Sequence, residues 1–396
     1  MIRHQLPVHS PLSAGHLLRG LARAGGSARP RLKRLLTHRF SADRAILFGS
    51  GTQALTAAIR LAMEQVGRDR PVALPGFTCY DLASAAVGAD ASLVLYDVDP
   101  ATLAPDLHSL EQAFRAGSGV AVLAPLYGYP FDWHAAAALA DRYDAILVED
   151  AAQAAGGSWK GRPAGTYGAL TTLSFGRGKG WTGGGGGALL LRAGQGAPDG
   201  WPGDIMDAAP TPRAARPRRE ALTWGAAAAQ WLLGRPGTYG LPRALPFLHL
   251  GETVYHPPVD PGPIAGASAA LALATSDAAM AAVNHRRERA EVLHHRVQRT
   301  PATPIEVPDG SFPGYLRFPC LLEGARQHPR LREMARLGLE TGYPTTLAGL
   351  DVVRSRLSVP AAVPGAQRLA ATLVTLPTHA MVRQRDLDAL LALLGE

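Results

Sequence analysis

From about residue 45 the chain alternates short apolar runs with stretches whose apolar positions recur every three to four residues. That is the pattern of a mainly parallel sheet covered by helices. Ala45–Phe48 reads as a first strand. After Ser50-Gly51-Thr52 comes a helix with Leu55, Ile59, Ala62 and Met63 on one face. Further strands are expected at Val72–Leu74, Leu93–Tyr96, Val120–Ala124, Ala145–Val148, Leu170–Phe175 and Ala188–Leu191, with helices at Asp81–Val87, Leu107–Arg115 and Trp133–Tyr143. Residues 193–220, rich in Gly, Pro and Arg, read as an irregular excursion, 221–234 as a helix, and 256–263 as a break. Ala265–Arg299 predicts a long helix leading into a smaller unit that ends in a helix over Asp386–Leu394. The fold class is therefore α/β: a large domain with a mainly parallel seven-stranded sheet, plus a smaller C-terminal α+β domain. The expected bounds are an N-terminal arm over 1–44, the large domain over 45–250, and a linker helix with the small domain over 251–396.

Length agrees with two units, since 396 residues exceed the roughly 250–300 at which single cores stop growing. No apolar run approaches the roughly 20 residues of a transmembrane helix, and MIRHQLPVHSPLSAG lacks the apolar stretch of a signal peptide. Two cysteines, Cys79 and Cys320, make neither a disulfide framework nor a thiol-rich metal site. The expectation is a cytoplasmic enzyme with no metal and no membrane partner. The net charge of +8 is concentrated in residues 1–44 and around Arg213, Arg216, Arg218 and Arg219. Such clusters attract anionic partners or simply solvate a surface. No aromatic-interleaved basic motif supports nucleic-acid binding, so a solvated surface is preferred.

Two segments carry candidate chemistry. In Ile146–Gln153 an apolar strand ends in Glu149-Asp150, placing a carboxylate at the carboxyl edge of the sheet, where parallel α/β proteins bind ligands. In Leu173–Gly187, Lys179 stands between a strand and a run of five glycines, which permit close backbone approach. A phosphate-loop reading fails because no Gly-Lys-Ser/Thr order is present, and a dinucleotide fingerprint fails because the glycines follow the lysine.

With Ser50–Leu55 (SGTQAL), Pro75-Gly76-Phe77-Thr78, Asp97-Val98-Asp99, Glu149–Gln153 (EDAAQ) and Ser174–Lys179, the chain resembles the DegT–StrS family of pyridoxal-phosphate (PLP) sugar aminotransferases over roughly residues 45–192. The resemblance implies a fold type I PLP-dependent transferase. Lys179 would form the Schiff base with the cofactor and shuttle the proton at the substrate carbon, and Asp150 would pair with the pyridinium nitrogen. Gln153 would hydrogen-bond the ring's phenolic oxygen, while Gly51, Thr52 and Ser174 would hold the phosphate. It further implies a homodimer, a small-molecule amino donor (L-glutamate) and a keto acceptor on a nucleotide-linked deoxy sugar.

The chain also departs from the family pattern. Where an aromatic usually stacks on the ring, Cys79 stands, with Tyr80 next, so either residue is the candidate stacker. In an extended segment the two would face opposite ways, and both could not reach the ring. The family's cross-subunit Asn is missing from the stretch around Gly262–Leu271. Tyr127, Trp181 and His379 are candidate substrate-side residues. Two rivals stay open: a catalytically silent regulator or scaffold of the same fold, and a sugar dehydratase, which in that family carries histidine where Lys179 stands.

Overall fold

The computed structural model describes residues 4–193, 217–243 and 253–395. The excursion expected at 193–220 lies mostly outside the described residues, as do Arg213, Arg216 and the expected boundary at 250/251.

Two helices, α1 (Ala14–Ala22) and α2 (Ala28–Arg39), precede the sheet. Strands and helices then alternate: β1 (Arg44–Phe48), α3 (Gly51–Val66), β2 (Val72–Pro75), α4 (Tyr80–Gly88), β3 (Leu93–Tyr96), α5 (Leu107–Arg115), β4 (Val120–Leu123), α6 (Trp133–Asp141) and β5 (Ile146–Asp150). Two short strands, β6 (Ser158–Trp159) and β7 (Arg162–Pro163), lead to β8 (Leu170–Ser174) and β9 (Gly187–Leu191). The main sheet has seven strands in the order β1-β9-β8-β5-β4-β2-β3. Pairs β8–β5, β5–β4, β4–β2 and β2–β3 are parallel, and β9 alone runs antiparallel to its neighbours β1 and β8.

The strands are apolar on both faces because both faces are covered. Ile46, Phe48, Val120, Val122, Ile146 and Val148 enter one core with α3 and α4. Ala45, Leu47, Ala121, Leu123 and Leu147 enter the other, with α2, α5 and α6. The segment expected as an arm instead folds onto the large unit. Leu32 and Leu36, one helical turn apart on α2, are fully buried, and α1 and α2 pack on the long helix Gly266–Val297. Part of the early positive charge is structural too. Arg29 pairs with Glu220 at 2.8 Å, and Glu220 accepts from the N–H groups of Gly266 and Ala267 at the start of the long helix.

By length and composition Gly266–Val297 could cross a bilayer, but 67% of its most apolar window is buried inside the protein, as in a core helix. Beyond it, Thr303–Pro304, Phe318–Leu321, Leu373–Leu376 and Glu340–Thr341 form an antiparallel sheet. With the helix Gln384–Leu394 it closes a separate core around Phe318, Val374, Leu387 and Leu391.

Candidate active site

The carboxyl ends of the parallel strands converge on one cavity, lined among others by Gly51, Thr52, Thr78, Cys79, Asp81, Asp150, Gln153, Ser174 and Lys179. Seven of these were expected from the sequence, and the ends of four strands, β1, β2, β5 and β8, bring them together. After β1, Ser50 caps α3, its hydroxyl accepting from Gln53 N–H at 3.1 Å. Gly51 and Thr52 open that 16-residue helix, whose N-terminal amides and dipole favour an anion. A Cβ on Gly51 would lie 2.7 Å from the Cβ of Ser174, so only glycine lets the helix start sit against the end of β8.

At the end of β5 the two acids divide the work. Glu149 is fully buried and accepts from the N–H groups of Gly165, Tyr167 and Gly168 and from the Thr171 hydroxyl, so it pins the loop that precedes β8. Asp150 faces the cavity. Its Oδ1 accepts from Ala152 N–H at 3.2 Å and the Thr172 hydroxyl at 3.0 Å. Burial raises the Asp150 carboxyl above the usual range, and the Lys179 ammonium pulls it back down. A further cation beside this carboxylate would strengthen the same pull.

Cys79 borders the cavity as the N-cap of α4. Burial pushes its thiol up to about 12, so it stays neutral near pH 7 and offers a packing surface, not an anion. Cys79 itself is extended (φ −60°, ψ 134°), but Tyr80 opens the helix, so the strand alternation expected for Cys79 and Tyr80 does not apply. Tyr80 begins α4, and its hydroxyl is tied to the backbone of Thr345, accepting from N–H at 3.0 Å and donating to C=O at 3.2 Å. Its ring lies 6.1 Å from that of Tyr343.

A second cavity, of about 410 Å³, opens beside Lys179 and shares Cys79, Asp81 and Gln153 with the first. Tyr127, Arg177, Arg317 and Tyr343 also line it. Gln153 joins the two units: its Oε1 accepts from Tyr127 N–H at 3.2 Å and its Nε2 donates to Tyr343 Oη at 3.0 Å. One Nε2 proton is left for a ligand. Two expected substrate-side residues lie elsewhere. Trp181 is buried in the core, with its ring edge-on to Phe175 and its N–H donated to Ala272 C=O at 2.8 Å. His379 is buried against Leu6, its Nε2 2.8 Å from that carbonyl.

Sequence reasoning missed Thr78, Asp81, Arg317 and Tyr343. Thr78 lies inside the Pro75–Thr78 segment, and its buried hydroxyl has no partner among the described residues. Tyr343 and Arg317 come from the C-terminal unit, and no local pattern marks them.

The profile of the DegT/DnrJ/EryC1/StrS aminotransferase family matches residues 17–197, which include every residue named above that lines the first cavity. Residues 17–197, a little under half of the 396-residue chain, resemble that family. An L-glutamine:2-deoxy-scyllo-inosose aminotransferase of Streptomyces kanamyceticus is 39% identical over 137 residues, 34% of this chain and 32% of that protein. An enzyme of the same name from Micromonospora echinospora is 38% identical over 141 residues, 35% and 34% of the two chains. The matched stretch thus spans about a third of the length of these curated relatives. The crystal structure of a sugar aminotransferase from Micromonospora echinospora superposes with a TM-score of 0.74 over 99% of each chain at 21% identity, which shows the fold, fold type I of the PLP aminotransferases.

The cradle fits the PLP that the matched family uses. The helix start at Gly51-Thr52 and the Ser174 hydroxyl offer donors to a phosphate at one end, and the half-buried Asp150 carboxylate can face a ring nitrogen at the other. Between them stands Lys179, close enough to Asp150 and Cys79 to shift both. The orphaned Thr78 hydroxyl supplies one further polar group on the cavity wall.

Proposed function

We propose that this chain is a PLP-dependent aminotransferase that moves an amino group from an amino acid, L-glutamine or L-glutamate, to the ketone of a polyhydroxylated ring. The observation that carries the reading is the convergence of Lys179, Asp150, Gln153, Ser174, Gly51 and Thr52 on one cavity. The family match and the names of the relatives support the reaction class and the ring-ketone acceptor. A chamber of about 410 Å³ lies near the lower end of ligand sites and favours a single ring, a keto-cyclitol or keto-sugar, over a nucleotide-linked sugar enclosed whole.

When bound, PLP supplies an electron sink for charge that develops at the substrate carbon. The protein's part follows from its residues. Gly51, Thr52 and Ser174 hold the phosphate, and Asp150 holds a proton on the ring nitrogen by its negative charge. Gln153 would donate its remaining Nε2–H to the ring oxygen, and Cys79 would offer the ring a neutral thiol to pack on. Lys179 Nζ takes the proton from the substrate carbon and returns it on the other side of the reaction, as general base and then acid. Arg317, on the chamber wall, would pair with the donor's carboxylate. The full set of these groups favours an enzyme over a silent regulator.

The test is direct. The purified protein with PLP should absorb in the visible, and borohydride reduction followed by peptide mapping should fix the cofactor on Lys179. A label on Lys160 or on no lysine overturns the proposal. Mass spectrometry with L-glutamine, L-glutamate and a panel of keto-cyclitols and keto-sugar nucleotides then identifies donor and acceptor.

A further inference from the structure

The segment from His4 to Ser10 carries no helix or strand, yet Gln5, Leu6 and Ser10 are buried. One end is fastened to the C-terminal unit and its surroundings. His4 N–H donates to Pro236 C=O at 3.0 Å, Gln5 N–H to Arg336 C=O at 2.8 Å, and Gln5 Nε2 to Asp386 at 2.5 Å, while His379 Nε2 meets Leu6 C=O at 2.8 Å. The other end is fastened to the turn of the lysine: Gly178 N–H donates to the Ser10 hydroxyl at 3.2 Å. Between the two anchors, Leu6, Pro7 and Val8 line the chamber beside Lys179. On their far side, Leu6, Val8 and Ser10 border an apolar cavity of about 630 Å³.

Gly178 immediately precedes Lys179 and sits at φ +76°, in the left-handed region. A turn that depends on glycine there is cheap to deform, so the placement of the lysine amine depends on what holds the turn from outside. Of the groups around it, the Ser10 hydroxyl takes the Gly178 N–H, a donor that would otherwise be poorly satisfied in this half-buried place.

We propose that Gln5–Ser10 is a positioning strap that walls one side of the substrate chamber with Leu6, Pro7 and Val8 and, through Ser10, holds the turn that carries Lys179. Ser10 acts through the backbone and touches no reacting atom. The inference rests on the assignment of Lys179 as the reacting lysine.

The experiment compares wild type, Ser10→Ala and Ser10→Thr as holoenzymes, reading the Lys179–PLP visible band against pH and the rate of amino transfer from L-glutamine and L-glutamate. Ser10→Ala should keep its melting temperature and its PLP, shift the pH midpoint of the band, and lower kcat by about 2- to 12-fold, the worth of one hydrogen bond. KM should hold, and Ser10→Thr, which restores a hydroxyl, should recover most of kcat. Band and kcat like wild type in Ser10→Ala overturn the strap while leaving the reading of Lys179 intact. Absence of any lysine-bound PLP in wild type overturns both. Should Ser10→Ala misfold, amide exchange in the wild type decides: a protected Gly178 N–H supports the strap, and one that exchanges at the rate of an open loop refutes it.

Discussion

Replacing His379 by glutamine removes a titrating group while placing an amide N–H near the position of the ring Nε2–H. In the wild type the imidazole is buried, and burial lowers its pKa from the usual 6.5 to about 3. The contact with Leu6 C=O works the other way, and His9, His285 and Arg289 add positive charge that opposes protonation. The neutral ring therefore donates Nε2–H to Leu6, while its Nδ1 has no partner among the described residues. A depressed folded-state value means that the stability this site contributes is complete above the unfolded value near 6.5 and is lost as the pH falls toward about 3. At pH 5.0 the unfolded chain already binds the proton and the folded one does not. The gap is about 1.5 pH units, or about 2 kcal/mol at 1.36 kcal/mol per unit. Urea unfolding of wild type and His379→Gln at pH 7.5 and pH 5.0 isolates the effect, because all other titrations are common to both proteins. The wild type should lose about 2 kcal/mol more than the variant between the two pH values. Equal losses would show that His379 is not held neutral by its surroundings and refute the reasoning.

Two further outcomes concern the cofactor cradle. Asp150→Asn removes the charge that would keep a ring nitrogen protonated, so turnover should fall about 10²- to 10³-fold while PLP still binds, the scale of losing one preorganised electrostatic contact; steady-state kinetics beside a PLP titration check this, and near-normal turnover refutes the role of Asp150. Cys79→Ala should weaken PLP binding, measured as Kd by absorbance, because Cys79 borders the cavity, whereas Tyr80→Ala, which removes the ring, should leave Kd unchanged and cost stability through the lost ring packing and about 1 kcal/mol for each lost hydrogen bond to Thr345. The reverse order would return the stacking role to Tyr80.

The large unit was legible because its signals are local. Leu93–Tyr96 and Leu107–Arg115 have the bounds read from sequence, the helix being started by Asp106, whose carboxylate accepts from Ser109 N–H. The direction of β9 was not legible, since a short run buried on both faces looks alike in either direction. Cys79 and Tyr80 misled for a related reason: the alternation of a strand was applied to residues that cap and open a helix. Trp181 and His379 lie near the right motifs in sequence, but whether an aromatic or a histidine faces a cleft or a core depends on what packs on it. For His379 that is Leu6, 373 residues away.

The same distinction separates the two halves of the site. Groups expected on the cofactor follow directly from strand ends, where chain direction and strand order fix them together, and there sequence motif and geometry coincide. Groups around the chamber come from segments far apart: Leu6–Val8 before the first helix, Tyr127 after β4, Arg317 and Tyr343 from the C-terminal unit. They meet only because the chain ends fold back over the sheet edge. Gln153 lies on the seam, with Tyr127 on one side of its amide and Tyr343 on the other. Under the proposed function, a shift of the C-terminal unit would reorient the side chain proposed to donate to the ring oxygen, and so couple the fit of a substrate in the chamber to the geometry of the cofactor. On that reading, substitutions at walls the cradle does not share, such as Arg317, would change which substrate fits and leave the cradle intact, whereas any change that moves Tyr343 reaches both.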